Sequence, residues 1–426
     1  MDPTKKKLDY SWVIICLCFL LSFMCLGFCS GNKSLYLSAI TEALNVPRSL
    51  FSLNDTVRYI TTTVINLFFA TLLQKLGVRK MVAIGIFCLI AQCLISATAT
   101  GVWGFYLAGV FLVFGLAFCT TTMISFIIRR WCKTNTGKIL GFVLAANGIG
   151  SAAATQVVSP IIYQEGNPFG YRSAYLLMAG ILLVVGLVVV PLMREAPEGG
   201  VPIKPHQKKA SGSRDWPGLD WEVVKKKPAF YLAAVCIFLT GMCLQGLVGI
   251  NAAHMRDTGI DPTYVAAMLS LHSLVLACSK FLTGVSYDKF GMRVTMTVCH
   301  ISAILATLLL SLAGAGAFGR ASAAGYAVIS SLAMPLETIM LSLFAAELFG
   351  TRAFPHTMSI FAAVNTAGYA VSTPVANWCF DSFGSYVPVI LCYCGIMAAV
   401  TVVFQFILSA AHRDRKQLPA AEPSTT

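Results

Sequence analysis

Charged residues are scarce in this chain. They make up 12% of its 426 residues, whereas hydrophobic residues make up 57%. A soluble domain has about 25% charged and about 45–50% apolar residues. Acidic residues are especially few, because 18 Asp and Glu face 31 Lys and Arg and leave a net charge of +13. These proportions exclude an ordinary soluble protein and indicate a chain that lies mostly in a membrane.

Sequence motifs for nucleotide and metal chemistry are missing as well. The sequence has no GxxxxGK[ST] loop to bind nucleotide phosphates, so we do not expect ATP-driven transport. The 15 cysteines lie mostly in apolar stretches, singly or in pairs such as Cys16 and Cys18, and none form CxxC pairs. In such surroundings cysteine packs as a small apolar residue. We therefore expect no metal, no cofactor and no enzymatic activity.

Long apolar runs, separated by turn residues, fill the chain instead. A helix needs about 20 mainly apolar residues to cross a bilayer. About twelve such runs lie near residues 11–40, 50–73, 81–99, 104–128, 137–162, 172–193, 229–252, 264–286, 294–314, 321–346, 355–378 and 386–410. They predict an all-α integral membrane protein with twelve transmembrane helices.

The basic residues are unevenly distributed over the turns. With a cytoplasmic N-terminus, most of the 31 Lys and Arg fall on the cytoplasmic side, and the external loops carry Arg48, Arg172, Arg256 and Arg320. This positive-inside bias predicts that both termini are cytoplasmic. We expect a multi-pass protein of the plasma or inner membrane. Nucleic acid is not an expected partner, because the basic residues are spread over separate loops.

One break in composition divides the chain. Between residues 194 and 228, Pro, Gly and Lys replace the apolar residues. We expect an N-terminal six-helix bundle at 1–193, a cytoplasmic linker at 194–228, a C-terminal six-helix bundle at 229–412 and a cytoplasmic tail at 413–426. The linker is interpreted as a solvated tether, and a regulatory or lipid-binding role is the alternative.

A short basic turn occurs once on each side of this break, each time between two apolar runs. Gly stands where the backbone must bend sharply. We assign conformational gating to the residues of these turns, which are Gly77, Arg79 and Lys80 in the first copy and Gly284, Asp288, Lys289, Gly291 and Arg293 in the second. Two copies in the same sense predict two pseudo-symmetric halves joined in parallel, as in many secondary transporters.

The repeated turn resembles the signature loop of the major facilitator superfamily. The second copy fits its pattern G-x-x-x-D-[RK]-x-G-x-[RK] fully, whereas the first departs from it at Ala70 and Gln74. With the helix count and the linker position, the resemblance covers essentially the whole chain. It implies a fold of two six-helix bundles that rock about a central site.

Other segments resemble the branch of monocarboxylate transporters and oxalate:formate antiporters. They are Asp9-Tyr10-Ser11-Trp12 before the first helix, Asn32-Lys33-Ser34 late in it, Ser279-Lys280-Phe281 in helix eight and Phe349-Gly350-Thr351-Arg352 before helix eleven. Lys280 falls where this branch usually has an Arg. Asn365 aligns with a Lys of the oxalate transporters, so that second cation is absent here. The resemblance implies small organic anions as substrates.

Lys280 is the main candidate for substrate binding. A charge inside the bilayer costs about 2.5–3.5 kcal/mol on insertion scales, so it normally faces a cavity or a partner. Ser273 and Thr283 share its helix face, and His272 flanks it. A lone cation in such a polar strip suits a carboxylate. The alternative is a structural ion pair.

Glu337 is the candidate partner of Lys280, because both lie at a similar depth when counted back from the cytoplasmic end. It could neutralise Lys280 when the site is empty, or carry a coupling proton. The alternative is that it caps the helix break at Pro335. The sequence leaves these possibilities open.

Lys33, Asp55 and Arg58 form a second, outer group. Asp55 and Arg58 stand three residues apart and can pair on one helix face. Lys33 and Arg58 could draw anions into a cavity, and Asp55 could assist proton coupling. The alternative is an interfacial ion pair in which Lys33 reaches the lipid headgroups.

Two tyrosines follow these polar positions at helical spacing. Tyr36 comes three residues after Lys33, and Tyr369 comes four after Asn365. Residues at this spacing lie on one helix face, so both tyrosines could line the substrate cavity. Ordinary packing is the alternative for each.

These features together predict a secondary active transporter of small organic anions, most of all monocarboxylates of the formate, lactate or pyruvate type. We expect alternating access as a monomer in the lipid bilayer, coupled to protons or to a counter-anion. Two alternatives stay open. One is export of larger amphipathic anions or drugs, and the other is a membrane receptor or sensor that does not transport.

Overall fold

The computed structural model describes residues 10–31, 33–131, 136–164, 166–194 and 219–417. Asp9, Asn32, most of the predicted linker and the end of the predicted tail lie outside the described residues. The described chain is almost entirely helical. Its α-helices are α1 (Tyr10–Leu21), α2 (Lys33–Leu44), α3 (Arg48–Thr98), α4 (Val102–Cys119), α5 (Thr121–Trp131), α6 (Thr136–Ile162), α7 (Gly170–Leu192), α8 (Trp221–Val224), α9 (Pro228–Asp257), α10 (Pro262–Ser311), α11 (Ala317–Ala333), α12 (Ile339–Phe383) and α13 (Val387–Gln417).

Glycine divides the three longest helical stretches. At Gly77 in α3, Gly291 in α10 and Gly350 in α12 the backbone leaves the helical conformation, with φ of 73°, 79° and 76° and an extended ψ. This region of backbone space is essentially open to glycine alone. Gly77 and Gly291 occupy equivalent positions in the two copies of the repeated turn, so both copies bend alike. Each stretch is therefore two helices joined by a sharp bend.

The expected count of twelve membrane helices depends on where these stretches are divided. By length and composition, eight described helices can cross a membrane, and a ninth is the bent pair Ala317–Glu337 and Ile339–Gly350. Division of α10 at Gly291 adds one. With the less apolar arms 48–76 of α3 and 351–383 of α12, which are not among those spans, the described chain has twelve long helical segments, and twelve membrane crossings stay a prediction.

Several helices are broken at mid-depth. A π-helix, Ser22–Phe28, follows α1. The fourth pass of the first half breaks between α4 and α5 at Thr120, and the matching pass of the second half breaks at Thr338 after the 3₁₀ turn Met334–Glu337. The second break bends the pass by 41°. Broken helices expose backbone polar groups, and membrane proteins tolerate them where they line a cavity or binding site.

The two halves, α1–α7 and α9–α13, pack mainly through three pairs of helices. These pairs are α3 with α12, α6 with α10, and α2 with α9. Within the first half, a Cβ atom at Gly150 of α6 would lie 2.2 Å from the Phe23 carbonyl oxygen. Only glycine permits this approach of two backbones, which is the packing that small residues provide in membranes.

Candidate functional site

Lys280 lies on the first arm of α10, half-buried between the two ends of the bundle. The hydroxyls beside it are already used. Ser279 Oγ donates to the Ser331 carbonyl at 2.6 Å, and Thr283 Oγ1 donates to the Ser279 carbonyl at 2.8 Å. Within the described part of the chain, the Lys280 ammonium has neither a hydrogen bond nor an ion pair within 4.0 Å. It is therefore available to an anion.

Glu337 lies near Lys280 at the end of the 3₁₀ turn and is 6% exposed. Gln245 Nε2 of α9 donates to its Oε2 at 2.7 Å. Its other oxygen, Oε1, is buried and accepts no hydrogen bond from a described residue. The carboxylate interacts electrostatically with Lys280 and with Lys33 of the other half, but neither ammonium comes within 4.0 Å. The break after Ala333 thus carries a buried carboxylate between the two halves.

Asn365 and Tyr369 complete this central cluster from α12. Asn365 Nδ2 donates to Tyr369 Oη at 2.7 Å, and the Tyr369 hydroxyl lies close to the Glu337 carboxylate. The Tyr369 ring lies 5.4 Å from the ring of Tyr59 on α3. This aromatic pair joins the two halves beside Glu337.

His272 does not join the central cluster. Its Nδ1 lies 2.9 Å from Ser330 Oγ and 3.0 Å from Ser331 Oγ, both on α11. The imidazole is 8% exposed and packs within the second half. His272 does lie on the same helix as Lys280, about two helical turns away, as its spacing in the sequence predicts. Its ring, however, points towards α11 and not towards Lys280.

The outer group forms as an ion-paired cluster in the first half. Lys33 Nζ lies 3.1 Å from Asp55 Oδ2, and Arg58 Nη1 lies 3.0 Å from Asp55 Oδ1. The side chains are 23%, 12% and 13% exposed, in that order for Lys33, Asp55 and Arg58. One carboxylate thus bridges two cations, and the cluster keeps one net positive charge.

This cluster borders a cavity of about 70 Å³. Tyr36 and Tyr175 line it, with their rings stacked at 4.5 Å, and Tyr36 Oη donates to Met178 Sδ at 3.2 Å. Gly249 and Thr373 of the second half close one side. Tyr36 therefore both lines the cavity and packs in the core of the first half.

The residues of the repeated turns contact helices of their own half. Arg79 Nε donates to the Val190 carbonyl of α7 at 3.0 Å. In the second half, Arg293 Nη2 donates to Ser409 Oγ of α13 at 2.8 Å. Lys80, Asp288 and Lys289 are exposed, and Gly284 lies in regular helix with open space around it. A gating role for these turns stays a prediction.

Sequence reasoning missed a further cluster at the opposite end of the bundle from α8, where α3 begins. Arg48 donates through both terminal nitrogens to Asp257 at the end of α9, one of these bonds being 2.9 Å. Arg48 Nη1 also donates to Tyr386 Oη at 3.2 Å, and the guanidinium lies 4.1 Å from the Phe380 ring centre. Arg48 is 7% exposed. A residue expected in an external loop is thus buried between the two halves.

The second half also caps the amino end of α3. The residue before this helix is Pro47, which provides no side-chain cap. The backbone amides of Arg48 and Ser49 instead donate to the Asp381 carboxylate of α12, at 3.2 and 2.9 Å. Helix amino ends need such acceptors. No local pattern predicts this cap, because its residues come from opposite halves of the sequence.

Other contacts between the halves lie at this end and at the centre. Arg256 Nη1 donates to Ser38 Oγ at 2.6 Å. Nearer the middle, Gln156 Nε2 donates to Ser270 Oγ at 2.9 Å, and Ser273 Oγ donates to Ser151 Oγ at 3.1 Å. The end of the bundle that holds Arg48 is therefore closed.

Two packed helical halves with broken helices and charged groups at mid-depth define a secondary transporter fold. The family model of the Major Facilitator Superfamily matches residues 15–343 and 233–426. The chain belongs to the Major Facilitator Superfamily. It is a multi-pass membrane transporter, and this fold implies a small-molecule substrate.

Two relatives of this chain are distant in sequence. The uncharacterized MFS-type transporter YcxA of Bacillus subtilis is 24% identical over 61% of this chain and 61% of its own length. The alignment thus spans about three fifths of that relative. Monocarboxylate transporter 12 of Rattus norvegicus is 22% identical over 76% of this chain and 71% of its own length.

Solved structures show the same fold at low identity. The nucleoside transporter NupG superimposes with a TM-score of 0.72 at 15% identity, covering 92% of this chain and 98% of that chain. A bacterial homologue of the human lysosomal transporter Spinster, in an inward-facing and unoccupied conformation, gives a TM-score of 0.67 at 13% identity, covering 98% and 100%. These likenesses establish the fold alone.

Proposed function

We propose that this protein is a secondary active transporter of small organic anions, and that its substrates are monocarboxylates of the formate, lactate or pyruvate type. The observation that carries the proposal is the ammonium of Lys280, half-buried and without a partner among the described side chains. An anionic substrate would supply the missing counter-charge. Lys provides a point charge rather than the bidentate fork of Arg, which suits a single carboxylate.

The valence of the substrate follows from the same charges. The central cluster has one cation, Lys280, with Asn365 where oxalate transporters have a second. A dianion would bring an uncompensated charge into a site of low dielectric, where it is costly. We therefore expect monocarboxylates to be transported in preference to oxalate. The relationship to monocarboxylate transporter 12 supports this choice of substrate.

In the proposed mechanism the halves rock about the central cluster. The closed end that contains Arg48 faces the outside, and both termini lie in the cytoplasm of a cell whose plasma or inner membrane holds the protein. In this mechanism, closure at the Arg48 end corresponds to an inward-facing conformation. The transporter acts as a monomer, and coupling is by proton symport or by anion exchange.

Uptake into liposomes by the purified protein tests this proposal. Labelled formate, acetate, lactate, pyruvate, oxalate and a bulky organic anion are compared, with protein-free liposomes as the control. We expect uptake of the small monocarboxylates above oxalate and above the bulky anion. A protonophore distinguishes proton symport from exchange driven by trapped counter-substrate. Transport of the bulky anion alone would instead favour an exporter of amphipathic anions.

A further inference from the structure

The cavity beside Lys33, Asp55 and Arg58 is lined by other residues than those of the central cluster, to which the electrostatic interaction of Lys33 with Glu337 links it. α3 begins at Arg48 and α10 begins at Pro262, both at the closed end of the bundle. Arg58 follows the start of α3 by about three helical turns, whereas Lys280 follows the start of α10 by about five. At 1.5 Å per residue, Arg58 is therefore about 12 Å nearer to the closed end than Lys280. The cavity is thus an outer compartment of the first half.

The outer compartment has room for a small molecule. Its volume is about 70 Å³, whereas one water needs about 10–15 Å³ by the same measure. The walls belong to the first half except at Gly249 and Thr373, which belong to the second. When the halves part at this end, the side formed by Gly249 and Thr373 moves away. A molecule that enters from that end therefore meets this compartment before it reaches Lys280.

Three residues of the wall carry a buried polar atom that has no hydrogen-bond partner among the described residues, and one of these atoms is the hydroxyl oxygen of Thr373. The other two are Arg58 Nε, a hydrogen-bond donor, and Asn54 Oδ1, an acceptor. A buried polar atom without a partner costs free energy, so native proteins rarely keep one without a reason. A donor and an acceptor carried by residues that line the same cavity fit a ligand that offers both an acceptor and a donor.

The net charge of the compartment indicates which net charge its ligand should have. Lys33 and Arg58 bring two positive charges and Asp55 one negative charge, which leaves one net positive charge. One carboxylate makes the occupied compartment neutral. A dicarboxylate would leave a negative charge, and an amino acid would leave the positive charge, because its own charges cancel. Uncompensated charge in such a place is disfavoured.

We propose that this compartment is a second binding site, which takes a small hydroxylated monocarboxylate. The carboxylate accepts hydrogen bonds from Lys33 Nζ and Arg58 Nε, and the hydroxyl donates to Asn54 Oδ1. The site is an outer station for the same substrate that Lys280 binds at the centre, so the inference rests on the proposed function. It adds Asn54 as the residue that distinguishes hydroxylated from plain carboxylates.

Gly109 of α4 offers a way to block the compartment alone. A Cβ atom there would lie 2.1 Å from Asn54 Oδ1 and 3.1 Å from Arg58 Cγ, so Gly109→Ala must displace the Asn54 side chain. Gly180 of α7 is a matched control, because a Cβ atom there meets no atom within 4 Å. Both changes add one methyl group to a helix of the same half.

The test measures binding of lactate and propionate to the full-length protein in lipid nanodiscs by saturation-transfer NMR. The two acids have similar size, and only lactate has the hydroxyl. Lys280→Ala removes the central site, and the outer site is then measured in that background. We expect lactate to bind Lys280→Ala, to keep binding when Gly180→Ala is added, and to lose binding when Gly109→Ala is added.

Asn54→Leu provides a second arm that does not depend on Gly109. In the Lys280→Ala background, lactate should bind about 2- to 12-fold more tightly than propionate, the factor that one net hydrogen bond supplies. Asn54→Leu should reduce this ratio to about one. If lactate binds wild type but not Lys280→Ala, or if Gly109→Ala and Asn54→Leu change nothing, the outer site is refuted and the proposed function stands. If wild type binds neither acid, the proposed function itself fails.

Discussion

At the scale of single residues, the described structure separates two kinds of buried charge. Asp55 is satisfied by two cations, Lys33 and Arg58, at 3.1 and 3.0 Å. Lys280 and Glu337 interact across a longer distance and make no direct pair. A buried charge that is not paired is costly to keep and is usually functional in a membrane protein. The predictions at this scale therefore concern Lys280 and Glu337.

Replacing Lys280 tests its role as substrate counter-charge. Lys280→Ala removes hydrogen bonds to a charged group worth about 1.5–3 kcal/mol, or roughly 10- to 150-fold in affinity. Transport in liposomes should nearly vanish while membrane insertion persists. Lys280→Arg should retain substantial activity, because the positive charge remains. Lys225→Ala, which removes a surface ammonium that is 41% exposed, serves as the control. Wild-type transport by an inserted Lys280→Ala protein would contradict the role of Lys280.

Replacing Glu337 tests proton coupling. Glu337→Gln keeps the shape and the contact with Gln245 but cannot carry a proton. We expect the variant to lose acid-stimulated net uptake while exchange of labelled for unlabelled substrate continues. Glu222→Gln is the control, since Glu222 lies on α8 and is 72% exposed. If net uptake by Glu337→Gln still rises with acid, Glu337 is structural and coupling lies elsewhere.

At the scale of elements, the two halves break and bend at equivalent places. Gly77 and Gly291 occupy the same position in the two copies of the repeated turn and share the same unusual backbone conformation. Thr120 and Met334 also occupy equivalent positions, because the same number of residues separates them as separates Gly77 and Gly291. The fourth helical pass of the first half leaves the regular α-helix at Thr120, and the fourth pass of the second half does so at Met334. The two halves therefore share the positions of their bends although their sequences are only weakly similar, because a sharp bend depends on a few residues.

Gly291 should be far more sensitive to substitution than Gly284 in the same turn. At φ 79° and ψ 177°, a side chain at Gly291 is strained by about 1–3 kcal/mol. Gly284 is helical with open space around it, so alanine there should be neutral or stabilise by up to about 1 kcal/mol. Thermal unfolding of the two purified variants measures the difference. Equal midpoints would show that the bend tolerates a side chain.

At the scale of the whole molecule, the closed end depends on acidic residues of the second half that bind the beginning of α3. Asp257 pairs with the Arg48 side chain, and Asp381 caps the helix backbone. Both contacts must break when the halves part at this end. The stability of the closed conformation therefore depends on groups far from the central cluster.

Asp381→Ala should weaken this closure. Loss of a helix cap costs about 0.5–2 kcal/mol, or roughly 2- to 30-fold in equilibrium. Exchange of backbone amide hydrogens, measured by mass spectrometry, should then become faster in the first turn of α3. It should also become faster around the contact between Arg256 of α9 and Ser38 of α2, which lies at the same end of the bundle. Asp261→Ala is a matched control, because Asp261 caps α10 within its own half through the amides of Thr263 and Tyr264. If both variants change exchange only locally, Asp381 does not hold the halves together.

The sequence by itself determined the membrane location, the family, the bends at Gly77 and Gly291, and the polar positions on their helix faces. These features depend on composition, on helical period and on the backbone freedom of single residues, all of which are local. The i,i+3 pair of Asp55 and Arg58 was predictable for the same reason, since both residues lie on one turn of one helix.

Only the tertiary structure decided which of these positions meet. It turned the His272 ring towards α11, placed Arg48 between the halves and brought Gln245 of α9 to Glu337. It also left Arg58 Nε and Asn54 Oδ1, on residues that line one cavity, without partners among the described residues. Helical period fixes the direction of a side chain relative to its own helix. The partner it meets depends on how separate helices pack, which is set by interactions between distant parts of the chain.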